Sequence, residues 1–524
     1  MSLIIKNSTN RNHVLIIFTL FFIIFLFTSD GHRYTFDEDV AAQQSKRMVT
    51  LSPDPSYIQD ESRMFFEYPW LFPPEQNNRP ICQNAILCSH GTIVHSLTQV
   101  PFIFVNHHFD IITGEEIWTL DDFDDFHYVS WRNSADPDFT FMEIFYGPFF
   151  SSLTVSVFFL ISKSYKFSIR TSSILTVLFA LSTIIWAYSQ TSLSSVPVSF
   201  FILSGFFYYR KFLQSNSNVH LLLTGILFGI SFLTRNDMIL IFIPFFIFLL
   251  IKTLKRNLGI KALFGFIIPL SMSYLIHKLI EIIRVGIENQ TTPTVATVGS
   301  NWTSAANSNP YFLNLFGILF SPGAGLFIYA PILFTAFVGF FDFYKKNKSD
   351  CILFFTFISI FALFYSAGSY WHGFNGWGPR YLLPIVAFVI LPLGASIEKR
   401  TNFFFKLSII LLGICGVIIN LMYVLQDVSW FVWGFFGSDE RGLYSLARKS
   451  DGNVFDLWIN PIIIWTFEFS QIVQSSLYLF SKPQLDIFLL KILGTELFLS
   501  LFIISMMILS FLLIKSTKIL ESKK

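Results

Sequence analysis

Charged side chains are scarce in this chain, so the places where they gather between apolar runs are where chemistry could occur. The first long apolar run closes on Asp30, His32, Arg33 and Tyr34, with Asp37, Glu38 and Asp39 a turn or two further on. A carboxylate at such a boundary is partly stripped of water, which makes it a stronger proton acceptor and a candidate general base. Arg33 and Tyr34 could bind phosphate oxygens; the plain alternative for Asp30 is a boundary residue where the chain enters water. A second cluster, Arg235-Asn236-Asp237, interrupts nearly continuous apolar sequence. The planar, permanently charged fork of Arg235 suits phosphate, although an Arg–Asp pair at a tight turn could simply reach the interface. The third is GSYWHGFNGWGPRYLLP at 368–384. Trp371, His372, Asn375 and Trp377 offer rings and polar groups suited to sugar faces and hydroxyls. Arg380 and Tyr381, at the mouth of the following apolar run, suit a phosphate. An interfacial aromatic belt explains the tryptophans but not the Gly-Pro-Arg-Tyr run.

The elements that must position these residues are membrane helices. The chain is 53% hydrophobic and 13% charged, with 66 Phe among 524 residues, and its mean hydropathy is +0.57. An average soluble domain carries about 25% charged residues. The formal net charge of +2 indicates no partner, and no basic stripe interleaved with aromatics supports nucleic-acid binding. Apolar runs predict spans near 13–29, 144–162, 172–189, 195–209, 219–234, 238–251, 261–276, 326–343, 351–367, 381–397, 407–425 and 493–514, about twelve in all. The first run has no small-residue cleavage site before Asp30 and reads as a retained anchor.

Lys and Arg alternate between successive connections. One set carries Lys6 and Arg11; Lys163, Lys166 and Arg170; Arg210 and Lys211; Lys252, Lys255, Arg256 and Lys261; Lys345, Lys346 and Lys348; Lys399, Arg400 and Lys406; and the Lys-rich tail. By the positive-inside rule these connections and both termini are cytoplasmic. The other connections, which carry Asp30, Arg235 and Arg380, then face outward. The expected organisation is an anchor helix at 1–29, a first outer loop at 30–143 with short juxtamembrane helices, and a transmembrane core at 144–425. An outer segment at 426–492 and a last helix with a basic tail at 493–524 complete it.

Weaker signals lie in the outer connections. Asp121, Asp122, Asp124, Asp125 and His127 could hold a divalent cation, but an acidic run is more often a solvated surface. His107, His108 and Asp110 are similarly open. The residues identify no cofactor and no metal ligand set. His277, Glu281 and Arg284 fit an interfacial helix with internal pairs. Asn289-Gln290-Thr291 and Asn301-Trp302-Thr303 are glycosylation sequons. Cys351 and Cys415 read as small core residues, while Cys82 and Cys88 could pair. Trp430, Trp433, Asp439, Glu440 and Arg441 name no ligand.

WHGFNGWGPRYLLP resembles the W-x-G-x-x-x-x-G-P-R-Y-L-x-P signature of multi-pass GT-C glycosyltransferases, which include the protein mannosyltransferase and aminoarabinose transferase families. LFSPGAGLFIYAPILF (319–334) resembles the S-P-G-x-G-L-x-x-Y-x-P segment of prokaryotic members. FLTRNDMIL and SDGHRYTFDEDVA are similar to their helix-end Arg element and their acidic motif after the first helix. The resemblance covers most of residues 14–400, in order. It implies an all-α polytopic GT-C-like fold and transfer of a sugar from a polyprenyl-phosphate donor to a lipid, glycan or protein acceptor on the outer face. It implies a catalytic Asp, often within Asp-Glu, in the first outer loop. Asp30 and Asp37 are the candidates, Asp30 the preferred one, although Gly31 rather than a second acid follows it. Inversion at the anomeric carbon would release polyprenyl phosphate, stabilised by Arg235 and Arg380. Tyr68, in EYPWLFPP (67–74), would lie on the path of the acceptor or lipid. Two other classes compete. A transporter would carry ionisable residues in mid-span, whereas here they gather at span ends. A non-catalytic scaffold would keep the fold without the chemistry.

Overall fold

The computed structural model describes residues 8–33, 35–51, 92–113, 137–255, 260–285, 311–368, 371–373, 376–426, 464–481 and 485–522. Tyr34, Tyr68, Asn375, the acidic run at 121–131, Cys82 and Cys88, both sequons and the Trp430–Arg441 stretch lie outside these residues. All regular structure among the described residues is helical.

Every expected span falls on helix. The long ones are α1 (Ser8–Phe27), α4 (Pro137–Ser164), α7 (Ser195–Ser215), α8 (Asn218–Thr234), α9 (Ile239–Leu254), α10 (Ile260–Val285), α14 (Lys348–Ser366), α17 (Phe403–Val424) and α19 (Phe488–Ser522). Among the described residues, seven helical segments are individually long and apolar enough to cross a membrane. Three of the expected spans are interrupted helices, the 381–397 run within one of those seven segments. Residues 172–189 divide into α5 (Ile169–Leu181) and α6 (Ile185–Tyr188). The 326–343 run divides into α12 (Leu326–Tyr329), a 3₁₀ turn at Pro331–Leu333 and α13 (Phe334–Lys346). The 381–397 run divides into a 3₁₀ turn at Arg380–Ile385, α15 (Val386–Ile390) and α16 (Leu393–Lys399). Pro331, Pro384 and Pro392 lie at the last two sets of breaks, where a missing N–H and a fixed φ prevent a continuous α-helix.

Among the described residues, four helices lie between the spans: α2 (Phe36–Thr50), α3 (Ile93–Thr113), α11 (Tyr311–Phe320) and α18 (Gln471–Ser481). The first two lie within the 30–143 connection, where short helices were expected. They pack through a polar seam in which Ser45 Oγ donates to Ser96 O at 2.9 Å and Ser96 Oγ to Gln44 Oε1 at 2.6 Å.

Phenylalanine fills the bundle. Phe206 meets Phe354 and Phe388, each at 5.3 Å, and Phe228 stacks on Phe242 at 5.4 Å. The interface of α8 with α10 is closer still, because a Cβ on Gly225 would lie 2.6 Å from the Phe266 carbonyl oxygen. The outside is apolar as well: α19 exposes Ile503, Ile504, Met507, Ile508 and Phe511. A water-soluble protein would bury such a face, and a bilayer covers it. The chain is a multi-pass membrane protein.

Two readings change. The 277–284 segment is the end of α10, which runs unbroken from Ile260 to Val285, because no glycine or proline breaks the periodicity there. Cys415 is exposed on α17 rather than buried, since its apolar run faces outward at that position.

At the bundle end remote from Arg380, ion pairs tie helix ends together. Asp342 pairs with Arg400 at 2.7 Å and Lys399 at 3.1 Å, and Asp350 with Arg210 at 2.6 Å.

Candidate active site

Arg380 is placed by the glycines before it. Gly373 and Gly378 have φ of +80° and +66°, values that side-chain-bearing residues rarely adopt. A Cβ on Gly373 would lie 2.7 Å from Arg380 Cγ, and one on Gly376 would lie 2.6 Å from the Tyr188 hydroxyl and 3.0 Å from Arg380 Cβ. The glycines thus allow the loop to close around the arginine stem. Gly378 lies against Tyr329, where a Cβ would approach the ring to 2.8 Å. Tyr329 is fixed by the Ser-Pro-Gly-Ala-Gly turn, donating its hydroxyl to Gly323 O at 2.9 Å.

The aromatic residues of this loop do other work. Trp377 is fully buried, edge-on to Tyr329 at 5.1 Å and 5.0 Å from Tyr423. Trp371 is buried against Gly317, where a Cβ would meet its ring at 2.6 Å. Both rings, expected to face a sugar, are placed in the packing beneath the loop. His372 is also buried; burial and then the nearby Arg380 charge push its pKa down to about 3, so it is a neutral imidazole.

Tyr381 brings the two arginines together. It stacks on Tyr365 with centroids 4.6 Å apart and planes 3° from parallel. The guanidinium carbon of Arg380 lies 5.1 Å from the Tyr381 ring centroid and that of Arg235 lies 5.6 Å from it, within cation–π range. Arg235 caps the end of α8. Its Nη2 donates to Asp237 Oδ2 and to the Tyr365 hydroxyl, each at 2.8 Å, while Tyr365 donates to Asp237. Residues distant in sequence therefore form one cationic platform, and the Arg–Asp pair is part of it.

Asp37 faces this platform. Thr35 caps α2 in a reciprocal arrangement: Glu38 N–H donates to Thr35 Oγ1 at 3.3 Å and Thr35 N–H to Glu38 Oε2 at 3.0 Å, satisfying two end donors of the helix. Glu38 Oε1 also accepts from Ser192 N–H at 2.8 Å, fixing the start of α2 to the turn before α7. Asp37, in the first turn, points outward with 58% of its side chain exposed, its Oδ2 3.1 Å from Nη1 of Arg380. On the other side of this turn His95 is buried, with Nε2 2.8 Å from Ser192 O. Burial pulls its pKa down to about 4, opposed by its bond to Ser192.

Asp30 is placed quite differently. It is 1% exposed and accepts from His32 N–H at 3.4 Å. His32 Nε2 lies 2.6 Å from Asp486 Oδ2, and Lys491 Nζ 2.6 Å from Asp486 Oδ1. Although Asp486 is buried, His32 and Lys491 hold its carboxyl down at about 2. Gly31, at φ +81°, lies against Phe488, and Phe488 N–H donates to Ser29 O at 2.9 Å. Asp30, His32 and Asp486 place three ligand-type atoms within 4.8 Å of one another. Lys491 supplies positive charge to one of the two carboxylates there. Arg33, expected to meet phosphate, pairs with Glu143 at 2.8 Å instead.

Sequence reasoning passed over Tyr188 and Tyr365 and gave Glu38 and Asp237 no definite role in this region. The Thr35-x-x-Glu38 capping signature was present in the sequence, but the partners of Tyr188 and Tyr365 come from other helices and leave no local trace.

The family model described as dolichyl-phosphate-mannose-protein mannosyltransferase matches residues 145–276, a segment that contains Tyr188 and Arg235–Asp237. The match spans about a quarter of the chain. The crystal structure of ArnT from Cupriavidus metallidurans bound to undecaprenyl phosphate aligns with a TM-score of 0.46 at 10% identity, covering 90% of this chain and 78% of that one. No curated protein matches.

Proposed function

We propose that the chain is a membrane glycosyltransferase that takes a sugar from a polyprenyl-phosphate donor on the outer face of the membrane, with Asp37 as the base. The carrying observation is the pairing of an exposed Asp37 with Arg380 beside Arg235. The matching family's description names a dolichyl-phosphate sugar, and the alternation of basic connections supports the sidedness.

In the mechanism, the donor phosphate competes for Arg380 and frees Asp37 to face the acceptor. Asp37 takes the proton of an acceptor hydroxyl as the oxygen attacks the anomeric carbon. The bond from that carbon to the phosphate oxygen breaks, and polyprenyl phosphate leaves with the electron pair. Attack opposite the leaving group inverts the centre. Negative charge grows on the departing phosphate, where Arg380 and Arg235 stabilise it most in the transition state. Asp37 and Glu38 form the adjacent acid pair that the resemblance implies, and Asp30-Gly31 does not.

The test supplies membranes containing the wild-type chain with labelled polyprenyl-phosphate sugars and follows transfer. Label should pass to an acceptor with wild type and not with Arg380→Ala. Absence of transfer from every such donor by folded wild-type protein would favour a non-catalytic scaffold.

A further inference from the structure

A cavity of about 250 Å³ opens at the bundle end remote from Arg380, between the start of α1 and the ends of α4 and α7. It is lined by His13, Lys163 and Lys211, with Ser164, Gln214 and Phe207 among the other walls, and no carboxylate is among its lining residues. We propose that this cavity binds the phosphate of an anionic lipid headgroup.

Three features carry the assignment. Two ammonium groups come from different helices into one recess, Lys163 at the last turn of α4 and Lys211 on α7. Lys163 donates to Phe167 O at 2.7 Å, which fixes its stem beside the cavity. Lys211 rests over the Phe207 ring at 5.7 Å, and among the described residues no carboxylate forms an ion pair with it. Of the nearby carboxylates, Asp350 pairs with Arg210 and Tyr165, and Glu398 accepts from the Ser168 N–H while also feeling the Lys163 charge. His13 supplies the third feature. It is fully buried, its Nδ1 lies 2.7 Å from Ser516 Oγ, and its Nε2 has no protein partner although the residue lines the cavity. Ser516 Oγ donates to Leu513 O at 2.9 Å, so His13 Nδ1–H donates to Ser516 and Nε2 is left as an acceptor for a headgroup hydroxyl.

The size selects a headgroup rather than a whole ligand, since pockets for drug-sized molecules run from about 300 to 1,000 Å³. The exposed Leu15, next in sequence to the lining residue Val14, leaves the acyl chains in the surrounding bilayer. Basic pockets between membrane helices are a general mode of anionic-lipid recognition. The site is independent of the transferase reading, because its residues share nothing with Asp37, Arg235 or Arg380.

The experiment titrates the purified full chain in detergent with dioleoylphosphatidylglycerol, dioleoylphosphatidylcholine or inorganic phosphate and follows the melting temperature. Phosphatidylglycerol should raise it saturably and phosphatidylcholine should not. Lys163→Gln and Lys211→Gln should each weaken the apparent affinity about fivefold, while K345Q/K346Q, outside the cavity, should leave it unchanged. Should Lys163→Gln fail to fold through loss of its contact with Phe167, Lys211→Gln alone decides. Equal stabilisation by phosphatidylcholine, or an unchanged phosphatidylglycerol affinity in Lys211→Gln, overturns the proposal. So does saturation by inorganic phosphate with no further gain from phosphatidylglycerol.

Discussion

Asp30 and Asp37 share one short segment and one chemistry, yet the fold treats them oppositely. Asp30 is sealed among His32, Asp486 and Lys491, where the start of α19 closes over the end of α1. Asp37 stands at the open start of α2, against Arg380 and beside the Tyr381 platform. A buried carboxylate with fixed counter-charges holds elements together and cannot meet an incoming hydroxyl. An exposed one, whose partner is an arginine that a phosphate can claim, can exchange that partner during a reaction. Access and the replaceability of the counter-ion separate a structural acid from a chemical one.

This contrast can be broken from either side. The largest effect is expected on the open side: Arg380→Ala should lower transfer by about 10²–10³-fold, measured as initial rate per folded protein. On the closed side, Asp486→Ala leaves His32 and Lys491 without their shared partner. It should cost about 3 kcal/mol of stability, read as a lower melting temperature, with the rate per folded molecule nearly kept. A rate loss as deep as that of Arg380→Ala would merge the two regions.

Acid should act through the buried groups. His95 and His372 have pKa values of about 4 and about 3, below their unfolded value near 6.5. The unfolded chain therefore binds more protons below that value. The stability these groups contribute is complete above about pH 6.5 and declines as pH falls toward 4 and then 3, starting with about 1 kcal/mol between pH 7 and 6. Asp486, at about 2, adds a further loss only below about pH 4. Melting curves across this range check the order, and His95→Asn should flatten the first part. The smallest effect is expected at the platform: Tyr381→Leu removes the ring facing both guanidiniums and should slow transfer about threefold, as measured in the same assay.

Much of this was legible in the chain itself. Apolar runs located the helices, and Gly-Pro-Arg-Tyr marked Arg380 because few structural roles require glycines and an arginine in that order. The choice between the two aspartates was not legible. The partner of His32 lies 454 residues away, and nothing near Asp30 signals that α19 covers it. Thr35-x-x-Glu38 did carry a local signal, a helix start that commits Glu38 and leaves Asp37 outward. Trp371 and Trp377 misled for the converse reason. An aromatic residue in a glycine-rich loop looks available for a ligand until Gly317, Tyr329 and Tyr423 are seen to occupy its faces.

The most direct test compares Asp37→Asn with Asp30→Asn in the labelled-donor transfer assay, normalised to folded protein. Asp37→Asn should keep the melting temperature and lose transfer by about 10²–10⁴-fold, the range for removing a general base. Asp30→Asn should lower the melting temperature and retain most of the rate per folded molecule. The reverse pattern, with transfer surviving in Asp37→Asn and vanishing in a stable Asp30→Asn, would contradict the account.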